Sequence, residues 1–177
     1  IVDVPDMLGT VWEGRPAVPS TPVTTLDVEC FGGVSRMEKI EWLRGWMLQN
    51  EVDVMLLSSL DEIAWLLNVR GSDIDYNPLV ISYLVVSQDY VRWFVKKPGL
   101  YEIDETDTWD SFEELESDGV QIWSYDEIFS GLSDEGDGLC DGTVFVDPST
   151  LNSHIFDYIE KAFPQGKVFC GTSPVVL

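Results

Sequence analysis

LDEIAWLLNVRGSDIDYNPLVISY, Leu60 to Tyr83, is the stretch from which the fold of this chain can be read. Ser59 stands before it as a candidate N-cap, and Glu62, three residues on, completes the S-x-x-E spacing of a capping box. Ile63, Leu66 and Leu67 recur at helical spacing, with Trp65 on the flank, so one side of the segment is apolar. The helix cannot run far past Asn68, because Gly71 and Pro78 follow and Asn77 precedes a proline. A polar loop, Arg70-Gly71-Ser72-Asp73, comes next, and Ile74-Asp75-Tyr76-Asn77-Pro78 leads into a strand from Leu79 to Ser87. A short buried helix thus hands over to a sheet strand through a loop bearing one cation and one carboxylate.

Outward from this corner the chain reads as alternating helices and strands. Ile1 to Asp27 is an extended lead-in, since prolines at 5, 16, 19 and 22 with Gly9 and Gly14 leave no room for a regular helix. Trp12 is expected to dock on the domain. Phe31 to Ser35 is a turn, and Ser35-x-x-Glu38 is a second capping box, opening a helix to about Asn50. Met37, Ile40, Leu43 and Met47 line its apolar face, with Lys39 and Arg44 on the polar side. Val52 to Ser58 is a short strand of the kind buried on both faces. Leu79–Ser87 and Tyr90–Lys97 form a hairpin ended by Pro98-Gly99. The spacing then predicts a helix over Asp107–Ser117, with Thr108 as cap and Gly119 as stop, and a strand over Val120–Trp123. A short helix over Tyr125–Leu132 and a strand over Thr143–Val146 follow. A helix capped by Ser149 or Thr150 runs to about Phe163, and Lys167–Cys170 is the last strand. The fold class is α/β, a mixed sheet with helices against it.

At 177 residues the chain is one domain, or one domain with a lead-in. A chain of this length buries roughly 70% of its unfolded surface, so it stands without disulfide or metal. A hydrophobic content of 45% with 12% aromatics fits a packed globule. No apolar run approaches the roughly 18 residues of a membrane span, no signal peptide is seen, and Ile1 in place of methionine suggests a piece of a longer chain. The formal charge of −22 excludes nucleic acid and anionic membranes as partners, because both require Lys and Arg to displace counterions. The charge is uneven, with no Lys or Arg from Pro98 to Glu160. A solvated, solubilising surface is the plain reading; a field that draws in the N-terminal ammonium of peptides, or a basic protein partner, are the others.

The chemistry-bearing residue types are sparse. Cys30, Cys140 and Cys170 make no CxxC and read as free, partly buried thiols of a reducing cytoplasm, not a zinc site. His154 is the lone histidine, which rules out HExxH, and no G-x-S-x-G turn presents a nucleophile to it. A calcium loop over 134–142 fails: with Asp137 at position one, Leu139 and Pro148 fall where ligands are needed. Arg70 and Asp73 remain. One reading makes them a loop brace or ion pair, the guanidinium capping carbonyls at the helix end and the carboxylate fixing the turn. The other turns the loop toward a cleft or a partner subunit, with Tyr76 and Asn77 sharing that surface.

The run LDEIAWLLNVRGSDIDYNP resembles the signature of the middle domain of aminopeptidase P, the Xaa-Pro aminopeptidases of the creatinase/prolidase metallopeptidase group. Val69 stands where leucine is commoner, and Asp75 where the family often has proline. Trp12-Glu13-Gly14-Arg15-Pro16 is similar to the family's element between first and second domains, Lys39-Ile40 with Leu43-Arg44 to its helix opening, and Ser173-Pro174-Val175-Val176 to the segment before its catalytic domain. The resemblance implies a mixed β-sheet of about six strands with helices on both faces. It also implies a division into 1–25 as linker from an upstream domain, 26–172 as a non-catalytic domain and 173–177 as the start of a linker to a catalytic domain. The implied parent is a cytoplasmic hydrolase that removes the N-terminal residue from peptides with penultimate proline. It uses two divalent metals, usually manganese, held by Asp, Asp, His, Glu and Glu outside this chain. No cofactor and no catalytic or metal-binding residue is then expected here. The expected partners are the chain's own upstream and catalytic domains, the peptide substrate through the parent, and a second parent copy. The competing expectation is a stand-alone acidic interaction module or an inactive relative of the fold.

Overall fold

The computed structural model describes residues 7–9, 11–31, 33–96, 107–132, 142–163 and 167–175. Among these residues, eight strands and six helices fall in the order β1 (Thr24–Thr25), α1 (Val28–Phe31), α2 (Arg36–Gln49), β2 (Val54–Leu57), α3 (Leu60–Leu67), β3 (Val69–Arg70), β4 (Ser82–Ser87), β5 (Val91–Val95), α4 (Asp107–Ser117), β6 (Val120–Ser124), α5 (Ile128–Leu132), β7 (Thr143–Val146), α6 (Ser153–Ala162) and β8 (Lys167–Cys170), with a 3₁₀ turn at Tyr125–Glu127 before α5. Six strands make one mixed sheet in the order β6-β5-β4-β2-β7-β8, and β1 pairs with β3 in a two-stranded ribbon. β4 is antiparallel to both its neighbours, while β5–β6, β2–β7 and β7–β8 are parallel, so β4 alone runs against the rest. The expected mixed six-stranded α/β sheet is present.

Alternation along the central strands explains why both faces are covered. Met55 and Leu57, Leu84 and Val86, and Val91, Trp93 and Val95 point to one core, with Ile40, Leu43 and Met47 of α2, Ile63 and Leu66 of α3, and Leu115 of α4. Val54 and Leu56, Val85 and Phe94 point the other way, against Ile128 and Leu132 of α5 and Ile155 and Ile159 of α6. Strands buried on both sides read as near-continuous apolar runs, which is how VMLL and the run from Leu84 to Val86 read here.

Several local expectations are corrected. Ser59 occupies the N-cap position of α3 without capping it; its hydroxyl donates to Asp61 at 2.7 Å, and Glu62 turns inward and is buried. In α2 the capping box of Ser35 and Glu38 does form, but the buried stripe is Arg36, Lys39, Ile40, Leu43 and Met47, while Met37 is exposed. Thr108 lies inside α4, whose first residue is Asp107. Asn152 caps α6, because Asp147 draws the Ser149 backbone N–H and hydroxyl into a turn of their own. Trp12 is exposed, with the Arg15 guanidinium 5.8 Å from its ring centre. Cys30 and Cys170 are free thiols, as expected, but exposed and not partly buried. Gly119, at φ 83, is the stop after α4 that the sequence predicts. Pro98-Gly99, Cys140 and most of the supposed calcium loop lie outside the described residues.

Gly131 in α5 shows how tightly the second face is packed. A methyl group there would sit 2.5 Å from Cζ of Phe94, a ring wholly buried in the sheet. Gly131→Ala is therefore expected to destabilise by about 1–3 kcal/mol through overpacking, read as a lower urea midpoint at unchanged m-value.

Candidate functional site

Helix α3 ends where Asn68 adopts the left-handed conformation, φ 55, which asparagine tolerates better than most residues. Its last-turn carbonyls are only partly satisfied by the backbone, Ala64 O and Trp65 O sharing the Asn68 N–H, and three cations meet them. Arg70 Nη1 donates to Ala64 O at 3.0 Å, Lys39 Nζ donates to Trp65 O, and Arg36 Nε donates to Leu67 O at 3.0 Å. Lys39 Nζ also donates to Asn68 Oδ1 and lies 4.4 Å from the centre of the Trp65 ring. The helix dipole places partial negative charge at this end, so positive charge is favourable there. Arg36 is further held by Glu114 at 2.6 Å and Asp118 at 2.9 Å, which ties α4 to the same point. Burial lowers the Lys39 pKa from its ordinary value, and the Arg70 and Arg36 charges push it the same way.

Beyond this cap the loop doubles back. Arg70 also donates to Val69 O at 2.7 Å and has no ion pair with Asp73 among the described residues. Asp73, a buried carboxylate, accepts from the Thr21 backbone N–H at 2.8 Å, the Thr21 hydroxyl at 2.7 Å and the Ile81 N–H at 2.8 Å. It pins the lead-in chain to the start of β4. Ser82 pairs with Val95, the last residue of β5, so this pin lies at the carboxyl end of the parallel strands. Asn77 N–H donates to Ile74 O at 3.1 Å and closes a four-residue turn. At its tip Tyr76 sits at φ 61 with its side chain fully exposed. A bulky residue at positive φ costs on the order of 1–2 kcal/mol. The surrounding loop must supply that, and Gly71 shows how closely it fits: a Cβ there would meet Val80 Cγ2 at 2.5 Å.

Of the four residues singled out from sequence, Arg70 and Asp73 turn inward as braces and Tyr76 faces solvent. Asn77 shapes the turn through its backbone. Sequence reasoning missed Arg36, Lys39 and Thr21. Arg36 and Lys39 carried a signal, since they share the helical spacing of Ile40, Leu43 and Met47; Thr21 carried none. His154 is exposed, its ring 5.2 Å edge-on from Phe129.

A second buried carboxylate, Glu62, faces the chain's exit. Ser173, fully buried, donates its backbone N–H to Asp147 at 2.9 Å and bonds Glu62 through its side chain. Burial pushes the Glu62 pKa up; the Ser173 bond works against this, while the charges of Asp61 and Asp147 add to the rise.

The described residues hold no group of three or more His, Cys, Asp or Glu able to bind a metal ion. The two metals implied by the resemblance therefore have no ligand set among them, and no helix among the described residues is long and apolar enough to cross a membrane.

A family profile described as the creatinase/prolidase N-terminal domain matches residues 14–177. The chain belongs to that family. It is 35% identical over 133 residues to Xaa-Pro aminopeptidase app-1 of Caenorhabditis elegans, covering 75% of this chain and 20% of that protein. It is 40% identical over 129 residues to a probable Xaa-Pro aminopeptidase P of Laccaria bicolor, covering 72% and 18%. The crystal structure of the C. elegans X-prolyl aminopeptidase, described as a cytosolic enzyme with a di-nuclear active site, superposes with TM-score 0.79 at 30% identity over 97% of this chain and 26% of that one. An aminopeptidase P from Streptococcus thermophilus shares the fold, with TM-score 0.54 at 12% identity over 77% of this chain and 92% of that one. The chain thus spans about a fifth of the length of the curated relatives it matches. It is a creatinase/prolidase N-terminal-type domain of the kind carried by Xaa-Pro aminopeptidases.

Two outcomes test this geometry. Asp73→Ala leaves three donors without their acceptor and is expected to cost about 2–3 kcal/mol, with faster exchange of the Ile81 amide proton. A carboxyl raised on folding contributes stability that is fully present below its ordinary value of 4.5 and is lost as pH rises through the raised value. Glu62→Gln, neutral throughout, should therefore gain on wild type as pH climbs from about 4 to 7; parallel stability–pH curves would contradict the assignment.

Proposed function

We propose that this chain is the non-catalytic middle domain of a longer metal-dependent aminopeptidase that removes the N-terminal residue from peptides with penultimate proline. Its work is to arrange the neighbouring domains and to restrict access to the active site. The family, and relatives roughly five times its length, support this reading. The observation that carries it is Tyr76: a fully exposed aromatic at positive φ, on a turn braced by Arg70 and Asp73, is a rigid contact aimed outward. Strain held at an exposed tip is understandable where the tip meets another surface, here the mouth of the catalytic domain or a second copy of the parent.

On this reading residues 1–25 link to an upstream domain, 26–172 form the working unit, and 173–177 begin the connection to the catalytic domain. Ser173, clamped between Asp147 and Glu62, fixes the direction in which the chain leaves. The two divalent metals, manganese by the resemblance, belong to that catalytic domain, and the parent works in the cytoplasm. Arg70 does not reach substrate in this scheme; it holds the loop that presents Tyr76 and Asn77.

The chain alone, supplied with manganese and an Xaa-Pro peptide, is expected to give no turnover; turnover by these residues would refute the proposal. In the full parent, Tyr76→Ala is expected to change kcat/KM between short and long peptides by several-fold while leaving the thermal midpoint within about 1 °C, a surface effect. An unchanged length preference would remove Tyr76 from the access role.

A further inference from the structure

Beside the cap of α3 lies an open pocket of about 320 Å³. Its walls are Leu26, Phe31, Val34 and the Trp65 ring, and its polar groups include Lys39 and Asn68. Phe31, Val34 and Trp65 are all large apolar residues left exposed around it, at 72%, 51% and 44%. Exposed apolar side chains gathered about one concavity mark a binding site more often than chance surface.

The polar end is what narrows the ligand. Lys39 is 6% exposed, yet it lines the pocket. An ammonium has three N–H donors; two go to Trp65 O and Asn68 Oδ1, and apart from the Trp65 ring 4.4 Å away no hydrogen-bond partner for the third is found among the described residues. Its neighbours Arg70 and Arg36 are close enough to act against its charge. The carboxylate at the rim, Asp27, is turned to its own helix, accepting from the Glu29 and Cys30 N–H groups and the Cys30 thiol. The Asn68 side-chain N–H₂ donates to Val34 O at 3.0 Å and holds the rim in place.

The geometry points to a binding site for a small hydrophobic carboxylate, its apolar group against Trp65, Phe31 and Val34 and its anion on Lys39. The pocket takes one branched or aromatic side chain. The carboxylate becomes a charge-assisted partner for an already immobilised ammonium. Two sources share this chemistry: a free acid, or the C-terminal residue of a peptide.

The test is a ¹H–¹⁵N NMR titration of the 177-residue chain with N-acetyl-phenylalanine, its amide N-acetyl-phenylalaninamide, and a hexapeptide ending in phenylalanine with a free carboxylate. The acid is expected to shift the Trp65 indole and Asn68 side-chain signals and to bind about tenfold or more tightly than the amide. Lys39→Met should erase that preference, whereas Trp65→Ala should weaken acid and amide alike. A hexapeptide binding more tightly than the acid identifies a chain terminus as the source; equal binding identifies the free acid. Acid and amide binding wild type equally, shifts confined to other residues, or a preference surviving Lys39→Met would each overturn the site. The comparison of acid with amide on wild type decides the matter even if Lys39→Met does not fold.

Discussion

The C-terminus of α3 holds this structure together. Three of the ten basic residues in a chain of net charge −22 converge on the last carbonyls of one eight-residue helix. A helix this short has little stability of its own, because nucleation is costly and few hydrogen bonds follow it. What fixes it is burial of Ile63, Leu66 and Leu67 against the sheet together with this cationic cap. The cap is built from α2, from the loop after α3 and, through Glu114 and Asp118, from α4. One polar junction therefore sets the relative positions of three elements on the same face of the sheet.

The acidic composition takes on meaning against that junction. Burying cations is costly unless each finds hydrogen-bond partners. Arg36 has a backbone carbonyl and two carboxylates, while Lys39 has a carbonyl, an amide oxygen and the face of Trp65. Arg70 has, among the described residues, two carbonyls. Apart from the buried Glu62 and Asp73, most described carboxylates lie toward the exterior, where solvation is cheap, whereas these cations are placed where a helix end can use them. The pairing of α4 to Arg36 also means that part of the negative surface acts as a structural counter-ion. A uniformly solubilising coat would not do this.

Much of this fold could be read directly because the controlling signals were local. Asp107–Ser117, Thr143–Val146 and Lys167–Cys170 have the bounds that spacing and stop signals predict. The Ser35–Glu38 box formed because nothing else competed for Glu38, held at 2.6 Å from the serine hydroxyl. The same pattern at Ser59–Glu62 did not form, since Ser173, far away in sequence, offers Glu62 a partner inside the protein. Met37 and Lys39 exchanged their expected places for a similar reason: the carbonyls of α3 outweigh the usual preference of lysine for solvent. In the candidate loop, the inward roles of Arg70 and Asp73 were legible from the stop signals around them. The identity of their partners was not. Thr21 lies 52 residues from Asp73, and no pattern in the sequence announces that contact.

That long-range bond gives the loop its mechanical character. Thr21 offers both its N–H and its hydroxyl to one oxygen of Asp73 and accepts the Ser72 N–H on the same hydroxyl at 2.8 Å, while Ile81 takes the other carboxylate oxygen. Ser20 adds a bond to Lys96 O, at the end of β5. The proline-stiffened lead-in is thus pinned against the loop and the end of β5 together. A displacement of the lead-in cannot leave the Tyr76 turn untouched, because Asp73 is common to both. Flexible tethering of the lead-in would have required no buried carboxylate, and a loop evolved only to close the chain would have no reason to hold tyrosine at positive φ. Both features are explained together if what precedes Thr21 and what meets Tyr76 must keep a fixed relation to one another.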